Sequence, residues 1–197
     1  MIPQPLWRGA ILAGGESRRM GTDKALLEFE GVLLWKRQRQ VLHDSGIEDV
    51  IIVRRPDQPA LDSEIPHVRD QVPGAGPLAG LHAALAYNLA CPEPAEGLAV
   101  LAVDMPAIDP GWFEWLRQAC RPGVGAVAKH TDGFEPLADI YPGSALVTVE
   151  QRLRKREFSL QGLILALVEA KQLTVLTLPE TERQRVANWN SPSDRAS

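Results

Sequence analysis

Short apolar runs alternate with helix-length segments along this chain, and that alternation restricts the fold more than any other feature. The pattern predicts strands at Gly9–Ala13, Val50–Val53 and Leu98–Val103, with helices at Leu33–Ser45, Leu78–Leu89 and Pro110–Cys120. Strands alternating with helices predict an α/β fold: a Rossmann-like, doubly wound, mostly parallel sheet with helices on both faces. Gly46 is placed to end the first helix. Asp109-Pro110 offers a cap and a first-turn proline for the third. The pattern then changes. Val124–Lys129 and Glu135–Tyr141 read as two strands joined through Thr131-Asp132-Gly133, an Asp-Gly signal for a small antiparallel β-hairpin excursion. Helices at Ser144–Arg156 and Leu160–Lys171 and a strand at Leu173–Leu178 follow. Neither an internal repeat nor a linker is visible, so one domain over residues 1–197 is expected.

The longest apolar runs, Leu98–Val103 and Leu163–Val168, fall far short of the roughly 20 residues that span a bilayer. The start, Met1-Ile2-Pro3-Gln4-Pro5, has no charged segment followed by a long apolar one, so a cytoplasmic protein without membrane contact is expected. A formal charge of −4 without a long basic run argues against a nucleic-acid partner. Cys91 and Cys120 stand apart from each other and from any His-rich cluster, so neither a zinc site nor a disulfide framework is indicated.

Three segments carry chemistry. The first strand stops at Gly14-Gly15, a pair that turns the backbone sharply and exposes its N–H groups. Arg18, Arg19 and Lys24 follow closely and can complement a triphosphate. A Walker loop would need Ser or Thr after a Gly-Lys pair, and here Lys24 follows Asp23, so the turn is a different phosphate cradle. The second segment, Asp70 to Leu81, runs through Gly74, Gly76 and Pro77 into a helix whose first N–H groups favour phosphate or base contact. It also matches the Gly/Ala form of the dinucleotide fingerprint, which the short charged strand before it and the proline in its turn argue against. Third, Asp104 ends the strongest apolar strand, where a carboxylate can hold magnesium. An Asp at a strand end serves equally well as a turn or cap residue.

His43, His67, His82 and His130 share no metal-ligand spacing, and Ser17 lacks the context of a hydrolase nucleophile. Trp112 and Trp115 form a helix face against the core or against a contact surface.

The stretch LAGGESRRMGTDKALL resembles the signature of the molybdenum cofactor guanylyltransferases, within the wider nucleotidyltransferase family. PGAGPLAGL, LAVDMPAI, GFEPLADIYP and NWNSPSD are similar, in order, to that family's second loop, metal strand, substrate hairpin and tail. The resemblance implies magnesium-dependent attack of a molybdopterin terminal phosphate on the α-phosphorus of GTP. Its products are the guanine dinucleotide cofactor and pyrophosphate. It implies backbone contacts to the nucleotide from Leu12, Ala13, Gly14 and Gly15, and phosphate neutralisation by Arg19 and Lys24. Asp70 would contact the nucleoside; Gly76, Pro77, Leu78 and Gly80 would shape its pocket; Asp104 would hold the metal. Glu135, Pro136 and Asn190 fall on the acceptor side. Transient contacts with proteins that deliver or receive the cofactor belong to the same expectation.

Related cytidylyltransferases have Leu-Ala-Ala-Gly at the first turn, so Gly14 favours GTP. A cytidylyltransferase, a transferase for another phosphorylated acceptor, and a non-catalytic nucleotide-binding module are the competing readings. One departure from the family is Val53-Arg54-Arg55, where an Asn often stands.

Overall fold

The structure is a computed structural model that describes residues 6–15 and 23–189. Its centre is β1 (Trp7–Leu12), flanked in parallel by β4 (Asp49–Arg54) and β6 (Gly97–Ala102). The short β5 (His67–Arg69) extends the sheet in parallel beyond β4. On the other side lie β9 (Ala138–Pro142), β7 (Gly125–His130) and the edge strand β10 (Leu173–Thr177), giving the order β10-β7-β9-β6-β1-β4-β5. Only β9 runs against its neighbours β6 and β7 along this path.

Every residue of β6 is buried. Leu98 and Val100 pack into one core and Ala99 and Leu101 into the other, which is why this strand reads as an unbroken apolar run. Helices α1 (Leu34–Asp44) and α3 (Pro110–Ala119) cover one face through Leu34, Leu42, Trp112 and Phe113. Helices α2 (Pro77–Ala90), α4 (Ala145–Lys155) and α5 (Leu160–Glu169) cover the other through Leu81, Leu85, Val149 and Leu163. The fully buried indole of Trp112 donates from Nε1 to the Ala138 carbonyl at 2.6 Å, so this tryptophan belongs to the core.

Gly46 takes φ +77° just after α1, and the Ile47 N–H returns to Leu42 O, so the expected helix stop is present. Asp109 sits at the cap position of α3 with Pro110 first in the helix. Its carboxylate does not bond a helix N–H and accepts from Arg185 Nη2 at 3.0 Å instead.

The Asp-Gly hairpin forms between β7 and β8 (Gly133–Phe134), pairing His130 with Gly133. The return strand, expected as one piece over Glu135–Tyr141, is broken before β9. Three steps along β7, from Lys129 to Ala126, are matched by six on the return, from Phe134 to Ile140. Pro136 has no N–H for the ladder. The Ala128 N–H bonds the Asp139 carboxylate at 2.9 Å. This bulge carries Glu135–Leu137 toward the end of β6, where Ala102 N donates to Leu137 O at 2.7 Å. A second, separate hairpin, β2 (Glu28–Phe29) with β3 (Val32–Leu33), was not visible in the pattern because each strand is two residues long.

The chain winds from β1 outward through β4 to β5, then returns through α2 to β6 on the other side of β1. Ligands of such sheets bind at this reversal, beyond the carboxyl ends of the strands.

Candidate active site

A cavity of about 860 Å³ opens at this reversal. The end of β1 supplies Leu12, Ala13, Gly14 and Gly15; the loop after β5 and the start of α2 supply Asp70, Gly74, Gly76, Pro77, Ala79 and Gly80; the end of β6 supplies Asp104. Ala13 N bonds Val53 O at 2.9 Å and Val103 N bonds Leu12 O at 3.1 Å, so the sheet ladder continues to the cavity edge. Gly76 holds φ +58°, a conformation that side chains rarely adopt, and it turns the loop directly into Pro77 at the head of α2. The positive end of that helix faces the cavity.

Lys24 opens a 3-10 turn over Lys24–Leu26, which Asp23 caps by accepting from the Ala25 N–H at 3.1 Å. Its Nζ reaches Asp104 Oδ2 at 2.6 Å and the Trp189 carbonyl at 2.8 Å. The Trp189 N–H donates to the Asp104 carbonyl at 2.8 Å, and its ring packs at a tilt against Phe29, 5.3 Å between centroids. Behind Asp104, buried Gln38 of α1 donates to Met105 O at 2.8 Å and to Ala102 O at 3.2 Å, fixing the turn that aims the carboxylate.

Asp70 is held above the ordinary carboxylate range by burial, with Arg55 pulling it back. Glu135 is pushed up to about 7, first by burial and also by the negative charge of Asp104. Asp139, fully buried behind it, is raised well above the usual range by burial. The Tyr141 hydroxyl donates to Pro136 O at 2.8 Å and ties the bulge to β9.

Of the residues singled out from the sequence, Leu12, Ala13, Gly14, Gly15, Lys24, Asp70, Gly76, Pro77, Gly80 and Asp104 come together on this cavity. Leu78 is not on its wall: it is fully buried among the side chains that pack α2 on the sheet, because the helix turns it away. Glu135 and Pro136 lie on the bulge while their neighbour Leu137 lines the cavity. Arg18, Arg19 and Asn190 lie outside the described residues. Asp57 and Leu137 line the cavity without having been singled out, Arg55 of the Val53-Arg54-Arg55 departure joins them there, and Trp189 clasps the Lys24–Asp104 pair. The tail motif quoted from the sequence contained Trp189, but nothing in the residue type pointed to its backbone.

A cavity placed at the strand-order reversal, with a glycine turn and a paired Lys and Asp on its walls, puts this chain among the nucleotidyltransferases. The domain model of the MobA-like NTP transferases matches residues 9–172, and the chain belongs to that family. A probable molybdenum cofactor guanylyltransferase of Opitutus terrae is 56% identical over 187 residues, covering 95% of this chain and 92% of the relative. One from Pelotomaculum thermopropionicum is 36% identical over 146 residues, covering 74% and 68%. The molybdopterin-guanine dinucleotide biosynthesis protein A of Archaeoglobus fulgidus superposes with a TM-score of 0.71 at 26% identity, covering 96% of this chain and 95% of that one. Among the described residues no helix is long and apolar enough to cross a membrane.

Proposed function

We propose that the chain transfers GMP from GTP to the terminal phosphate of molybdopterin. A phosphate oxygen of the pterin attacks the α-phosphorus, the bond to the β-phosphate breaks, and pyrophosphate leaves with the electron pair. The observation that carries this reading is the Lys24–Asp104 pair on the cavity wall, in a family whose relatives bear that activity in their names.

Magnesium takes hard oxygen ligands, few of them from protein where phosphates and water complete its shell. Among the described residues no group of three or more acidic, His or Cys side chains gathers to cage a metal. Asp104 presents a carboxylate at the cavity that already holds a cation, the Lys24 ammonium, at 2.6 Å. The residues fit an ion held by one carboxylate and the substrate's phosphates. When bound, magnesium would supply charge neutralisation to the substrate's phosphates. Lys24 passes to the phosphates and offsets the charge that builds on pyrophosphate, with Arg19 in the same role. Gly14, Gly15 and the head of α2 bind phosphate oxygens through N–H groups, and Asp70 orients the nucleoside. Glu135, Pro136 and Asn190 form the acceptor side.

The test is calorimetric titration with GTP, CTP and ATP, with and without magnesium, followed by pyrophosphate release on adding molybdopterin. Selective, magnesium-dependent GTP binding with release is expected; selective CTP binding would overturn the base assignment, and binding without release would overturn the transfer.

A further inference from the structure

Arg54, at the end of β4, is fully buried. Its Nη2 donates to Asp23 Oδ2 at 2.5 Å, while Nε and Nη1 meet no acceptor among the described residues. A buried guanidinium with two unpaired donors costs stability, and a methionine of similar length would fill the space without that penalty. What the arginine adds is its single bond. The other oxygen of Asp23 caps the turn that begins at Lys24, so Arg54 grips the residue that sets the direction of the Lys24 side chain. The Arg54 carbonyl also accepts from the Asp70 N–H at 3.1 Å, tying the same residue to the opposite wall of the cavity.

We propose that Arg54 is a positioning residue that acts through Asp23 on Lys24 and holds the ammonium where a nucleotide's phosphates are received. This rests on the phosphate role given to Lys24 above. This chain uses a buried cation to brace its loop. Arg54 is not among the residues lining the cavity, so the bracing acts from behind the wall and not by touching the nucleotide.

The experiment is a double-mutant cycle on Arg54→Met and Lys24→Met, read by calorimetric titration with GTP and magnesium and by thermal unfolding. Arg54→Met is expected to melt at or above the wild-type midpoint and to bind GTP about tenfold more weakly. In the Lys24→Met background the same change should alter affinity by less than about twofold, because the group it positions is gone. Arg54→Lys, which keeps one donor for Asp23, should recover part of the affinity, and it carries the test if the methionine variant does not fold. An equal loss from Arg54→Met in both backgrounds would show a merely structural role and overturn the inference. Impaired Lys24→Met beside unaffected Arg54→Met would overturn it alone; wild-type binding by Lys24→Met would overturn the phosphate role of Lys24 as well.

Discussion

Lys24 and Asp104 meet at 2.6 Å across the mouth of the cavity, and Trp189 holds both, accepting from one through its carbonyl and donating to the other through its N–H. In the free protein the ammonium occupies the carboxylate to which the proposed reaction assigns its metal. In the proposed reaction, nucleotide and metal arriving together would offer each partner a replacement of the right charge.

Asp104→Asn keeps the shape of the site and removes its charge. Transfer is expected to fall by about a hundredfold or more, while thermal unfolding moves little, since the side chain is partly solvated. Turnover as a function of magnesium concentration checks this, and retention of a wild-type magnesium dependence would contradict it.

Glu135 gives stability a pH dependence of its own. The folded chain holds its proton up to about pH 7, against an ordinary value of 4.5. Stability from this group is therefore fully present below about pH 4.5 and is lost as pH rises through about 7. Glu135→Gln cannot ionise, so across that window its stability relative to wild type should rise, by up to about 3 kcal/mol. Urea unfolding of both proteins at several pH values measures the difference; parallel curves would show that Glu135 is not desolvated in solution.

Trp189→Ala removes the ring packed on Phe29 and loosens the backbone clasp on Lys24 and Asp104. A loss of about 1–3 kcal/mol in stability is expected, with a larger effect on KM for GTP than on the overall fold. Equilibrium unfolding together with steady-state kinetics separates the two.

Two glycines on the cavity should respond differently to alanine. At Gly76 the positive φ makes a β-carbon costly, about 1–3 kcal/mol, and the head of α2 should shift with it. At Gly14 a β-carbon would lie 3.4 Å from Arg55 N and from Asp70 Oδ2, an ordinary contact. Gly14→Ala should therefore fold normally, and any change should appear in the ratio of GTP to CTP binding.

The parallel half of the fold was legible because strands buried on both faces are apolar throughout, as in Leu98–Val103, and because Gly46 and Pro110 punctuate the helices. The short β2–β3 hairpin and the split between β8 and β9 were not, since two-residue strands carry no period and the break at Pro136 depends on what β7 offers across the ladder. In the site, glycines and charges next to strand ends marked themselves. Gln38 and Trp189 did not, and Arg54 showed only as part of a departure from the family, because each contributes through a bond to a residue far away in sequence, and residue type alone says nothing of such a partner.

The Lys24–Trp189 contact spans 165 residues. A chain emerging from the ribosome lays down Lys24 and then Asp104, and the residues that line the cavity all precede Trp189. The clasp thus becomes available only after the residues of both cavity walls have been made.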